Sequence, residues 1–250
     1  MLTLHRGRYR ARLAETPEDV ARAQELRWRA FRAAQAGSEE GGRDRDRFDF
    51  TCLHVLVEEA ATGVPVATWR LLPCADSGQI ERSYTAQFYD LAPLSRFAGP
   101  MVEMGRFCLA PDRHDPDILR IAWGAMTAFV DRHGVTMLFG CASFPGTDAN
   151  AYLDALAYLG ARHLAPRRWR PGTRAAEVIS IAPEAATPEP DTRRALLSMP
   201  PLLRSYLAMG GRVSDHAVAD RDLGTLHVFI GLEVARVPAA RVRALRLNAE

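Results

Sequence analysis

The chain has 250 residues, 48% of them hydrophobic and 25% charged, with a formal net charge of +2. That balance fits one large or two modest globular domains and gives no global reason to expect nucleic acid. All 32 basic residues are arginine, which excludes a lysine Schiff base or a lysine amine base. Cys52, Cys74, Cys108 and Cys141 lie far apart with no C-x-x-C pair. This spacing argues against a zinc site or a redox dithiol, so no metal is expected and reduced thiols in the cytoplasm are. The N-terminus, "MLTLHRGRYRARLAE", has no apolar signal core. No apolar run approaches the ~20 residues that span a bilayer, so a soluble or peripheral protein is expected.

In chain order, "RYRARLA" reads as a first strand. Thr16-Pro17-Glu18-Asp19 then starts a helix, with Thr as N-cap, Pro at the first helical position and acids in the first turn; it should run to about Ala34. Residues 35–50, "QAGSEEGGRDRDRFDF", form a polar loop too long for a simple connector. "LHVLVEE" and "VPVATWRLLPC" flank Ala-Thr-Gly as an antiparallel hairpin. After an irregular stretch comes the strand "VEMGRFCLAP". Asp115-Pro116 opens a helix that Gly134 closes. "VTMLFGCA" is an apolar strand, followed by a helix around 148–159 and a strand in "AAEVISIA". Residues 183–190, "PEAATPEP", resemble a linker. A helix broken at Pro200-Pro201 follows, and "TLHVFIGLEV" is the last strand. The order gives an α+β fold around one mixed sheet, with a core over 1–182 and a C-terminal extension, 183–250, packed on it.

The strand 102–111 poses a problem. Strict alternation puts Glu103 and Gly105 on one face and Arg106 on the other. Both faces are mostly apolar, as in a central strand covered on both sides, yet each carries a full charge. Such charges are more often a solvated rim or an internal salt bridge than a catalytic pair. The chemistry they suit is nonetheless definite. Burial of Glu103 would raise its pKa toward use as a base, and Gly105 would let a ligand lie against backbone N–H groups.

The segments "LRWRAF", "DRFDF", "TWRLLP", "EMGRFCLAP", "LFGCASFPGTD" and "PPLLRSYLAMGG…AVADRDLGTLHVF" together resemble the L-ornithine Nα-acyltransferases of ornithine-lipid synthesis. The first half also resembles the acyl-homoserine-lactone synthases; both groups belong to the GNAT superfamily of N-acyltransferases. The resemblance implies a GNAT-type fold and transfer of a 3-hydroxyacyl group from acyl carrier protein to the α-amine of ornithine. No cofactor is implied beyond the carrier's phosphopantetheine. It implies catalytic roles for Glu103, as base, and Arg106. It implies substrate binding by Arg27, Phe31, Asp46, Asp49, Arg70, Gly105 and Ser143. Arginine suits a carboxylate and aspartate an amine, although each of these residues taken singly reads as a surface charge or, for Phe31, core.

Two further features bear on the donor. The turn after the strand, "APDRHDPD", has no glycine and puts Asp115 and Asp117 at the helix start, where they would repel the pyrophosphate of coenzyme A. Between Asp154 and Glu177 the sequence has no acid, while Arg162, Arg167, Arg168, Arg170 and Arg174 gather beside Trp169. That run could steer an acidic carrier protein or touch an anionic membrane; a solvated loop is the plainer reading of any single arginine. The open alternatives are acylation of glutamine or lysine, acyl-homoserine-lactone synthesis, or a non-enzymatic module that binds carrier protein or membrane.

Overall fold

The computed structural model describes residues 2–33, 42–182 and 190–248. The linker expected at 183–190 falls almost wholly outside these, as does the first part of the 35–50 loop. Eleven strands are present among the described residues: β1 (Thr3–Arg6), β2 (Tyr9–Leu13), β3 (Leu53–Glu59), β4 (Pro65–Cys74), β5 (Tyr89–Asp90), β6 (Met101–Leu109), β7 (Met137–Pro145), β8 (Gly172–Thr173), β9 (Val178–Ser180), β10 (Arg212–Asp220) and β11 (Thr225–Glu233). The helices are α1 (Pro17–Phe31), α2 (Ser77–Ile80), α3 (Pro116–His133), α4 (Leu153–Arg162), α5 (Thr192–Ser198), α6 (Pro201–Ala208) and α7 (Ala239–Arg246).

The chain divides into two compact units. The first comprises 1–73, 102–135 and 239–250; the second comprises 74–101 and 136–238. This division does not follow the expected boundary near 183. Residues 212–233 supply β10 and β11, which are sheet strands of the second unit, and α7 belongs to the first. A strand needs ladder partners, and β11 finds them along its whole length, from Thr225↔Pro145 to Glu233↔Met137 of β7.

In the first unit the strand order is β1-β2-β3-β4-β6, with β1 to β4 antiparallel. The sequence reading missed β1. Its turn depends on Gly7 at φ +54, a backbone state glycine adopts without strain, and its inward leucines are only Leu2 and Leu4. Helix α1 starts as expected: Thr16 accepts from the Asp19 N–H and Pro17 sits at the first position. Helix α3 begins at Asp115, whose carboxylate accepts from the Asp117 N–H, and ends at Gly134 in the left-handed conformation. α7 is tied to α3 by Arg246–Asp131 at 3.0 Å. It also passes so close to Gly124 that a Cβ there would lie 2.0 Å from the Asn248 carbonyl oxygen.

In the second unit the order is β7-β11-β10-β9, with β5 and β8 as a separate pair. β10 also escaped the sequence reading, because "SDH" interrupts its apolar pattern. The ladder shifts register between Val213 and Ala217, and the Ser214 hydroxyl fills the gap. It accepts from the Phe229 N–H at 3.1 Å and donates to the His216 carbonyl at 2.6 Å. A side chain here replaces a ladder bond, as bulges require.

Candidate active site

The candidate residues of the first unit meet where α1, the stretch 44–50, β3, β4 and β6 converge. The stretch "RDRDRFDF" alternates: Asp44 and Phe48 are buried and Asp46 and Asp49 partly so, while Arg43, Arg45, Arg47 and Phe50 face solvent. It closes into a single 3-10 turn (Arg47–Phe50). Asp46 caps the turn by accepting from the Phe48 N–H at 2.9 Å, and Asp49 reaches back to the Asp46 N–H. This reciprocal cap fixes the direction of the Asp46 and Asp49 carboxylates.

Those carboxylates are taken up by arginines from elsewhere in the unit. Arg27, on α1 and fully buried, donates from Nε to Asp44 Oδ2 at 3.0 Å and from Nη2 to Asp49 Oδ1 at 2.7 Å. Arg32, just past α1, donates to Asp44 Oδ1 at 2.8 Å. Arg70 on β4 grips Asp46 with two bonds of 2.5 and 3.0 Å and reaches Asp49 at 2.9 Å. Arg106 on β6 donates to Asp44 Oδ2 at 3.1 Å and to Asp46 Oδ2 at 3.2 Å. Burial opposes ionisation of Asp44, but Arg106, Arg32 and Arg27 outweigh it and hold the pKa at about 2. The same contest, with Arg27 and Arg70, lowers Asp49. Burial likewise opposes the charge on Arg70, yet Asp46 raises its pKa.

His54, buried on β3 directly across from Arg70, completes the cluster. Its Nδ1 lies 3.3 Å from Arg27 Nη1 and its Nε2 lies 3.1 Å from the Asp49 carbonyl oxygen. A guanidinium can only donate, so Nδ1 must accept and Nε2 carries the proton. Burial lowers the pKa of this ring, which agrees with the neutral form.

β6 departs from a regular strand at one place. Arg106 has φ +53, the sole positive φ outside glycine among the described residues. This conformation costs a non-glycine residue roughly 1–3 kcal/mol and persists only where the surroundings hold it. Here the ion pairs to Asp44 and Asp46 do so. Arg106 reaches the 44–46 stretch, and the charge of Glu103 acts on Cys52 together with those of Arg70, Asp46 and Asp49. Glu103 is 4% exposed. Beside Gly105 the space is open, since a Cβ there would meet nothing within 4 Å. Burial, reinforced by these acids against Arg70, pushes the Cys52 thiol up to about 11, and burial carries Cys108 to about 12. Neither thiol is ionised near neutrality, so neither is poised as a nucleophile.

The structure therefore brings together Arg27, Asp46, Asp49, Arg70, Gly105 and Arg106, with Glu103 nearby, and adds Asp44, His54, Arg32 and Gln24, whose side-chain amide donates to Asp49 Oδ2 at 3.0 Å. Phe31 packs beside Leu26, Cys108 and Ala110. Ser143 is exposed on β7 in the second unit, opposite His227. The arginine run also lies in the second unit, and it is not uncompensated as its local sequence suggests. Arg168 pairs with Glu233 at 2.5 Å, Arg170 with Asp215 at 3.5 Å and Arg174 with Glu81 at 2.8 Å. Arg162 lies over the Tyr158 ring, and Arg167 is exposed. No group of three or more His, Cys, Asp or Glu that could hold a metal occurs among the described residues.

The family description "Acetyltransferase (GNAT) domain" matches residues 26–124, the stretch from α1 through β6 into α3. An L-ornithine N(alpha)-acyltransferase of Brucella abortus is 33% identical, over 92% of this chain and 86% of its own length. One from Rhodobacter capsulatus is 33% identical, over 89% and 88%. The chain belongs to the L-ornithine N(alpha)-acyltransferase family. It is an acyltransferase with a GNAT-type fold, and its Glu103 and Arg106 lie inside the matched domain. Solved structures similar to it include FeeM, an N-acyl amino acid synthase from uncultured soil microbes, at 10% identity and a TM-score of 0.48 over 94% of this chain and 98% of that one. The CoA-dependent acyl-homoserine lactone synthase BjaI gives 13% and 0.48 over 93% and 83%.

Proposed function

We propose that this acyltransferase moves an acyl group, in the full reading a 3-hydroxyacyl group, from the phosphopantetheine thioester of acyl carrier protein to the α-amine of ornithine. The product is then a lyso-ornithine lipid. The observation that carries the acceptor is the match to relatives of that name along some nine-tenths of the chain. The site supports direct attack rather than an acyl-enzyme, because the thiols of Cys52 and Cys108 are held protonated.

In this reading Glu103 takes the proton of the attacking amine, directly or through water. The nitrogen adds to the thioester carbon, and backbone N–H groups near Gly105 stabilise the developing oxyanion. Collapse expels the pantetheine sulfur, which leaves as the thiol with the proton returned to it. Arg106 acts as a positioning residue: it fixes the left-handed backbone of β6 through Asp44 and Asp46. Arg27, Asp46, Asp49 and Arg70 spend their charges on one another, so they shape the acceptor pocket, with Asp46 the most exposed of the four. Phe31 backs the same wall, and Ser143 is assigned to the substrate by the resemblance.

The carrier-bound donor is supported by the N-terminus of α3, where Asp115 already accepts from the Asp117 N–H, the Tyr9 hydroxyl and Arg8. A coenzyme A pyrophosphate would meet that carboxylate. Carrier docking at Arg162, Arg167, Arg168 and Arg170 would rest chiefly on Arg162 and Arg167, since the other two have acidic partners. All four cysteines carry free thiols, which supports a cytoplasmic setting, and no described helix is long and apolar enough to cross a membrane.

The test is a matrix of donors and acceptors read by mass spectrometry. The matrix crosses acyl carrier thioester or acyl-coenzyme A with ornithine, lysine, glutamine or S-adenosylmethionine. N-acylornithine from the carrier thioester is the expected dominant product. A clear preference for another acceptor, or equal kcat/KM with acyl-coenzyme A, overturns the corresponding half of the reading.

A further inference from the structure

The stretch 43–50 has a second face. Its carboxylates point inward and are consumed by Arg27, Arg32, Arg70 and Arg106, which leaves the outward side to Arg43, Arg45, Arg47 and Phe50. Phe50 is 93% exposed, and Leu53, three residues further on, is 38% exposed. Among the described residues, Arg43 pairs with Glu25 at 2.8 Å, whereas Arg45 bonds the neutral Gln24 amide at 3.2 Å and Arg47 lies over the Phe48 ring. Among the described residues, the outward side therefore sets Arg45 and Arg47, neither paired with a carboxylate, around an exposed aromatic ring.

This display is rigid. The 3-10 turn carrying Phe50 is capped from both directions by Asp46 and Asp49, and those carboxylates are pinned to Arg27 and Arg70. A ring kept in water on an ordered element loses little conformational freedom when it is buried elsewhere. Arginines flanking an exposed apolar ring are the side chains that the interface of an anionic bilayer accepts, with the ring below the headgroups and the guanidinium groups among them.

We propose that the outer face of 43–50, with Arg45, Arg47 and Phe50 at its centre, seats the protein on an anionic lipid surface. The proposal does not depend on which amine the enzyme acylates. Charge complementarity favours an anionic over a zwitterionic lipid surface, and a single protruding ring suits the soft headgroup region better than the shaped pocket a protein partner would need.

Sedimentation with vesicles tests it directly, using the full chain. The wild type is expected to pellet with phosphatidylcholine vesicles containing roughly a third phosphatidylglycerol, and not with pure phosphatidylcholine. The double substitution Arg45→Glu/Arg47→Glu should weaken vesicle binding by about tenfold or more, with the loss shrinking as salt rises. Phe50→Ala should weaken it severalfold at every salt concentration. Both variants should keep the wild-type melting temperature and turnover of a short soluble thioester. Failure of the wild type to pellet with the anionic vesicles overturns the proposal, as do variants that pellet like the wild type. If the substitutions instead raise KM for an acidic carrier protein and leave vesicle binding alone, the face docks protein and the lipid assignment is wrong.

Discussion

The network around 44–49 in the first unit and the arginines of 162–174 in the second make the same kind of bond under different burial. Arg27 and Asp44 have side chains wholly out of solvent, and each meets several partners. Arg168 and Arg174 have side chains 52% and 40% exposed, where water and salt compete for the same charge. Charges taken from water must be paired completely, because removing one partner strands the others. Exposed pairs are held loosely and can be lost at little cost. The first region is therefore a framework that fixes the backbone of the site, whereas the second is a surface of ion pairs that water and salt screen.

The contrast is broken most severely by removing one arginine from each region. Arg27→Met should cost about 3–5 kcal/mol of folding stability, since Asp44 and Asp49 keep their burial and lose a partner. Arg168→Met should cost less than about 1 kcal/mol. Urea unfolding of the two variants measures both; similar losses would remove the distinction. Acid sharpens the same point. The pKa of Asp44 lies below its unfolded value, so its contribution is present above pH 4 and is lost as pH falls toward about 2. The loss from this group should be about 2 kcal/mol, seen in the unfolding free energy between pH 5 and pH 2 and blunted in Asp44→Asn.

A smaller effect separates fold from function on β6. A methyl group at Gly105 meets nothing in the protein, so Gly105→Ala should melt within a degree or two of the wild type. If the acyl donor lies along this backbone, kcat/KM for the donor should still fall by about tenfold. Unchanged kinetics would mean that the open space is not the donor's path. The smallest effect belongs to the second region. Charge reversal at Arg167 and Arg168 should lower kcat/KM for the carrier thioester only a few-fold and leave kcat alone, with the loss fading at high salt. An effect on kcat, or one indifferent to salt, would show that the run is not a steering surface.

These regions also show what could be read from the residues and what could not. The N-cap at Thr16, the hairpin of β3 and β4 and the stop at Gly134 were legible because each is decided by a few neighbouring residues. Arg27, Asp46, Asp49, Arg70 and Arg106 could be collected by resemblance, but their mutual pairing could not. Asp44 and His54, at the centre of the cluster, were missed. For Asp44 a signal existed: the alternation R-D-R-D-R, which puts acids on one side and bases on the other. For His54 there was none, since a lone histidine at a strand start is ordinary, and its role comes from the cross-strand register with Arg70. The left-handed residue in β6 was equally hidden. Gly105 drew attention as the permissive position, yet the unusual dihedral falls on Arg106, where ion pairs from a distant loop hold it. The neutralisation of the 162–174 run by Glu81, Asp215 and Glu233 was unreadable because those acids are far away in sequence.

The proposed base, Glu103, lies on the same strand as Arg106, which the ion-pair network holds in place. Single-turnover acyl transfer to ornithine, measured from preformed enzyme–thioester complex for wild type and Glu103→Gln, isolates that step from binding and release. Glutamine preserves shape and hydrogen bonding while removing proton acceptance, so the rate should fall by about 10²–10⁴-fold. The melting temperature and the affinity for the thioester should be unchanged. A Gln variant that transfers the acyl group at near the wild-type rate would contradict the assignment of Glu103 as the base.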